Sequence, residues 1–188
     1  MNSNNLDLLI TDYISSDIGE DENHFYSSKL AILDTIGCII EASNHEDVAQ
    51  FASKNNLSLN FKNPFKNLSV NDSYENISWY LTVLTRWFDY NDTFLAKEWA
   101  HPSDNFGSIY SYFYKNKNYK FNDFTNALTK AYEIQGSLCL GTSLNKLGYD
   151  HVFYVKLASG SVFSYLVNNG DTNAIRRTVN NILLDGPS

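Results

Sequence analysis

An all-α array of helices is the fold this sequence predicts, and three observations predict it. Apolar residues recur at three- and four-residue spacings in one segment after another. Capping residues (Ser, Thr, Asp, Asn) stand just ahead of most of those segments. No stretch alternates well enough to compete as a strand, and no internal repeat recurs at a fixed period. The 188 residues leave room for one sizeable domain. With 43% hydrophobic and 15% aromatic residues, the chain has the composition of a core former rather than of a disordered segment.

In chain order, Leu6, Leu9, Ile10, Tyr13 and Ile14 predict a short amphipathic helix, followed by an acidic turn at residues 19–22. Residues 27–42 are apolar on nearly all sides (Leu30, Ile32, Leu33, Ile36, Ile39, Ile40), the pattern of a helix buried by its neighbours. Gly37 inside it costs about 1 kcal/mol against Ala, so close helix packing is expected there. His45 opens a short helix to about Ala52. Residues 54–73, rich in Asn, Lys and Ser, read as irregular surface. Asp72 or Ser73 caps a helix through Trp87, with Trp79, Val83, Arg86 and Trp87 on one side. His101-Pro-Ser starts a helix to about Tyr114, proline being well placed where an N–H is unpaired anyway. Asn122 or Asp123 caps the next helix, to about Leu140. Asp150 caps one from His151 to Val167, and Asp171 or Thr172 opens the last, which stops at Gly186-Pro187.

A formal charge of −7 and a pI near 4.9 argue against nucleic acid as a partner, since phosphate binding needs a basic face. They also require any anionic substrate to rely on local donors. The two cysteines, Cys38 and Cys139, lie far apart in apolar contexts and read as buried free thiols. The N-terminus lacks the basic start and apolar run of a signal peptide, and no run reaches the ~20 apolar residues a membrane span needs. A soluble, cytoplasmic protein is the expectation.

The chemistry is expected in residues 86–107, RWFDYNDTFLAKEWAHPSDNFG, a polar run between two apolar helical segments. Asp89 sits among Trp87, Phe88 and Tyr90, where a carboxylate is either desolvated or specifically paired. Asp92 and Thr93 also suit ordinary turn and cap chemistry. His101 and His151 each stand at a helix start, where unpaired N–H groups hold anions and favour the neutral imidazole. Two such histidines suit general acid/base work on an anionic substrate. Equally, they are ordinary cap-region residues. His24 and His45 lie in polar turns and read as surface. No metal-ligand spacing, glycine-rich phosphate loop or G-x-S-x-G elbow is present.

The segment FDYNDTFLAKEWAHPSDNFGSI resembles the hallmark of the MmgE/PrpD family. That hallmark runs close to D-F-N-D-T, a short insert ending in E-W-G, then H-P-S-D-N. LDTIGCIIEA at 33–42, AYEIQGSL at 131–138 and GYDHVFYVKLAS at 148–159 resemble further family segments, in the family's order and spacing. The resemblance implies the N-terminal part of the family's helical domain over residues 1–188. It also implies a cofactor-free, metal-independent lyase that removes water from 2-methylcitrate in propionate breakdown, in some members also serving the citrate–aconitate couple. By motif, Asp89 matches the first Asp of the hallmark, Thr93 its Thr, and His101 the His of H-P-S. His151 matches the region of a second active-site His. Acid and base roles then fall to His101 and His151, in either order. Asp89 and Thr93 orient one His and bind a substrate oxygen, and Ser103 and Arg86 join the substrate-binding set. The E-W insert favours this substrate over the decarboxylase pattern, where the insert is shorter.

Family members are much longer and continue into further helices, a lid domain and basic residues that bind the substrate carboxylates. The resemblance is expected to stop before the lid and those lysines, and Arg86 and Lys156 are a poor substitute for three charge-assisted donors. The expected partners are therefore a small tricarboxylate and either a second copy of the chain or a second polypeptide supplying the rest. The competing expectations are an inactive helical remnant or interaction module, and a family member acting on another acid.

Overall fold

The computed structural model describes residues 5–19, 22–54, 64–66, 68–69 and 71–187, with the side chains at 22–24 and 52–53 left out. Most of the irregular segment expected at 54–73, and the side chain of His24, lie outside the described residues. Helices dominate. They are α1 (Leu6–Ser15), α2 (Glu22–Ser43), α3 (Glu46–Lys54), α4 (Tyr74–Arg86), α5 (Phe106–Lys115), α6 (Phe121–Gly141), α7 (Val152–Val167) and α8 (Thr172–Asp185).

The helix ends follow local chemistry. Ser73 Oγ accepts the Asn76 N–H at 3.0 Å to start α4, and Asp171 accepts the Asn173 N–H at 2.9 Å to start α8. Asp150 accepts the Val152 N–H at 2.9 Å, so it serves α7 although His151 holds the cap position itself. At α6 the cap is Lys120, whose N–H donates to Asp123 at 2.7 Å, two or three residues earlier than the sequence predicts.

One main core runs through the array. The α4 face Ile77, Tyr80, Leu81 and Leu84 packs on α5 residues Phe106 and Ile109, and α6, α7 and α8 add Leu128, Leu157 and Ile175. The α5 backbone comes close to α4 at Gly107. A methyl group there would lie 2.6 Å from the Ser78 carbonyl oxygen and 2.6 Å from Thr82 Oγ1. Backbone cannot swing aside, so Gly107→Ala is expected to destabilise by about 1–3 kcal/mol. A urea midpoint equal to wild type would contradict that contact. The α1 helix is tied to α8 by Arg176, whose Nε donates to Asp7 Oδ2 at 3.0 Å.

Three features differ from the sequence prediction. First, α2 is not buried all round: Ile32 and Ile39 are in the core, but Leu30, Leu33 and Ile40 are exposed, and a methyl group at Gly37 would meet none of the described residues within 4 Å. Gly37 is therefore not a close-packing residue among the described elements. Second, Phe94–Leu95 and Trp99–Ala100 form a two-residue antiparallel pair, β1 and β2, too short to leave a period-2 signal. Third, Pro102–Asn105 is a 3-10 turn leading into α5, so the proline starts a tight turn rather than an α-helix. Cys38 and Cys139 are buried and free, as expected. Among the described residues, no helix is long and apolar enough to cross a membrane.

Candidate active site

The loop that follows α4 turns at Asp89, which takes φ 57°, a left-handed conformation costing a non-glycine residue about 1–2 kcal/mol. Two interactions with Arg86 hold it there: the Asp89 N–H donates to the Arg86 carbonyl at 3.1 Å, and Arg86 Nη2 lies 2.8 Å from Asp89 Oδ1. The sequence left desolvation and pairing open for this carboxylate. The structure shows pairing, with the Asp89 side chain 69% exposed.

His101 is buried at the end of β2. Its Nδ1 lies 2.7 Å from the backbone carbonyl of Asp92. A carbonyl only accepts, so Nδ1 carries the proton in the neutral ring and Nε2 is left with the lone pair. That nitrogen is 3.9 Å from Asp89 Oδ1. Asp92 is itself fixed, because its Oδ1 accepts the Ser103 N–H at 3.0 Å. The His101 ring thus directs Nε2 toward the exposed Asp89 carboxylate.

Trp99, on β2, joins the two histidines. Its ring meets His101 edge-on at 5.5 Å and lies against His151 at 3.9 Å. The His151 side chain is 13% exposed, and its Nδ1 is 3.3 Å from Asp150. Burial pushes its pKa below the usual histidine range, and the charges of Asp150 and Glu98 offset that only in part. His151 is therefore neutral at pH 7. The cause is burial against Trp99, where the sequence had invoked the helix start.

Glu98 connects the hairpin to the α6–α7 link. It is 2% exposed, and its carboxylate accepts from the Asn145 N–H (2.8 Å), Asn145 Nδ2 (2.9 Å), Ser143 Oγ (3.1 Å) and the Trp99 N–H (3.2 Å). Burial alone would raise its pKa, but these donors hold it below the usual value. The Glu98 N–H also donates to the Cys139 carbonyl at 3.0 Å. Beneath the hairpin, Ala100, Cys139 and Tyr154 form a small second core with Phe94 and Phe153 around it.

The H-P-S-D-N turn is anchored from α6, where Gln135 Oε1 accepts from Asn105 Nδ2 at 2.6 Å. Asp104, on the same turn, has a nearly buried side chain with Oδ1 3.6 Å from Arg86 Nε. That separation suits an ion pair but is too long for a hydrogen bond, and Oδ1 has no hydrogen-bond partner among the described residues. Burial outweighs the attraction of Arg86 and His101 and pushes its pKa up to about 6.

Of the residues singled out from sequence, Asp89, Arg86, Ser103 and His101 fall together, with His151 reaching them through Trp99. Ser103 is buried and accepts from Asn91 Nδ2 at 2.7 Å, while Arg86 also donates to Asn91 at 3.3 Å. Thr93 is exposed on the same loop. Lys156 pairs with Asp185 of α8 instead of a site residue. Sequence reasoning assigned no role to Glu98, Trp99, Asp104 or Gln135, although each lies inside a segment that carries the family resemblance. Their positions in those motifs were the available signal.

The profile of the MmgE/PrpD N-terminal domain matches residues 10–187. The chain belongs to the MmgE/PrpD family. Among its relatives, a mitochondrial 2-methylcitrate dehydratase of Yarrowia lipolytica is 31% identical over 167 residues, covering 82% of this chain and 32% of the relative. The 2-methylcitrate dehydratase of Escherichia coli is 30% identical over 173 residues, covering 86% of this chain and 35% of the relative. A probable 2-methylcitrate dehydratase of Saccharomyces cerevisiae is 37% identical over 118 residues, 56% of this chain and 23% of the relative. The chain thus spans about a third of the length of the first two MmgE/PrpD proteins it matches.

Proposed function

We propose that this chain carries the histidine-bearing part of a 2-methylcitrate dehydratase-type lyase. The observation that carries the reading is the pair of histidines on one tryptophan, with His101 Nδ1 committed to a carbonyl and Nε2 left basic beside Asp89. In the reaction one histidine removes the proton from the carbon next to a carboxylate. The C–H electrons become the new double bond, and the C–O bond breaks. The other histidine, acting in its protonated imidazolium form, gives its own proton to the departing hydroxyl, which leaves as water. Asp89 orients His101, and Thr93, exposed on the same loop, meets a substrate oxygen. The names of the relatives supply the substrate, 2-methylcitrate, and the product is a methylaconitate.

Three substrate carboxylates need cations. Among the described residues the site holds Arg86, which is already paired with Asp89 and Asp104. The full reaction is accordingly proposed for an assembly in which a second polypeptide, or further chain, brings the remaining donors. The test is the rise in enoate absorbance when 2-methylcitrate or citrate is offered to the purified chain. The same assay is run on the chain co-expressed with the rest of a relative's sequence. Turnover in the second preparation alone supports the assembly. Silence in both would sink the 2-methylcitrate dehydratase reading and leave a family member acting on another acid or a helical interaction module, for the last of which the exposed Leu30, Leu33 and Ile40 of α2 are the favourable observation.

A further inference from the structure

Two loops far apart in sequence must meet for the site to exist, the hairpin at 94–100 and the α6–α7 link at 142–151. Each carries one histidine at its end. Buried polar contact between the loops converges on Glu98, whose carboxylate takes donors from Ser143, from both nitrogens of Asn145, and from its own neighbour Trp99. Such a carboxylate, satisfied on both oxygens, resists displacement, because breaking the set leaves a buried charge without partners. The next residue, Trp99, touches both histidine rings. Its side chain is 42% exposed, so one part of the ring packs on the histidines while another borders open space.

We propose that Glu98 and Trp99 are positioning residues of the site: the Glu98 clasp sets the α6–α7 link against the hairpin, and the Trp99 ring then fixes the placement of His151 relative to His101. The proposal rests on the lyase reading only for its catalytic consequence; the placement itself is testable without turnover. Trp99 contacts both rings, so a change in the clasp alters how the indole lies against His151. Lys97 strengthens the same junction, its Nζ donating to the Gly141 carbonyl at 3.3 Å.

Trp99 reports on His151 directly, since a protonated imidazole quenches the fluorescence of an indole in contact with it. Charges facing His151 are Asp150 and Glu98, which favour the protonated ring, and His101 and Arg86, which oppose it; burial opposes it most. In a Trp79→Phe/Trp87→Phe/His101→Gln background, where His151 is the imidazole left against the indole, Trp99 emission is expected to rise with pH through a midpoint below 6.5, the ordinary histidine value, and His151→Gln removes that midpoint. Glu98→Gln keeps acceptor oxygen toward the link but deletes the charge, so the midpoint moves down. Glu98→Ala releases the clasp, burial of His151 is lost, and the midpoint moves up toward 6.5 with a smaller amplitude. Opposite shifts are the signature of charge and position acting separately. Circular dichroism checks that helix content is kept; if the Ala variant does not fold, the Gln variant and His151→Gln decide. A wild-type titration in Glu98→Ala, or in Glu98→Gln, would overturn the proposal, as would shifts of the same sign in both. In a preparation that turns over, Glu98→Ala is expected to lower kcat more than 10-fold with KM within about 2-fold. Opposite titration shifts without turnover in wild type would instead count against the lyase reading alone.

Discussion

His101→Ala is expected to lower kcat for dehydration by about 10²–10⁴-fold, the range for losing a general acid or base. At 1.36 kcal/mol per tenfold this is roughly 3–5 kcal/mol of transition-state stabilisation. The geometry gives the comparison that makes the result informative. His101 Nδ1 makes a structural hydrogen bond to the Asp92 carbonyl, and its Nε2 lies 3.9 Å from the exposed Asp89. A glutamine amide can supply the first interaction but not the second. His101→Gln should therefore be as inactive as His101→Ala while unfolding at a higher urea concentration. Rescue of turnover by glutamine would assign His101 to structure alone. Equal urea midpoints for the two variants would mean that the Asp92 contact contributes little to folding.

That double role shows where sequence reading succeeded and stopped. The helices were legible because their apolar periods and caps are local: Ser73, Asp171 and the face Ile77–Leu81–Leu84 lie within a few residues of what they organise. A long, specific motif singled out His101 and Asp89, which the fold places near each other, with His151 reaching them through Trp99. Glu98 was not legible, because its partners Ser143 and Asn145 lie more than 40 residues away and nothing local marks a carboxylate as buried. Arg86 was assigned to substrate on charge alone; only the fold shows Asp89 and Asp104 on either side of it. The outer face of α2 failed for the converse reason. Period analysis reports that Leu30, Leu33 and Ile40 are apolar, not what stands against them.

Asp104→Asn is expected to make the protein more stable at neutral pH and to flatten its stability between about pH 4 and pH 6. The Asp104 carboxyl is pushed from 3.8 up to about 6, first by burial, with Arg86 and His101 pulling the other way and Asp92 and Asp89 adding to the rise. A carboxyl with a raised folded-state pKa favours folding in its protonated form. Its contribution is complete below the unfolded value of 3.8 and is lost as pH rises through about 6. The loss is on the order of 3 kcal/mol, and asparagine, neutral throughout, avoids it. Glu98 runs the other way: its donors hold it below the usual range, so its contribution fades only as pH falls below 4.5. The difference between wild type and Asp104→Asn isolates the Asp104 limb from that background. Urea unfolding at pH 4, 5, 6 and 7 should show the variant's advantage growing with pH and levelling off above about 6. An advantage independent of pH would mean that Arg86 keeps Asp104 ionised throughout. The buried carboxylate would then be held for the sake of Arg86 and Asp89, and removing it should loosen the turn that faces His101.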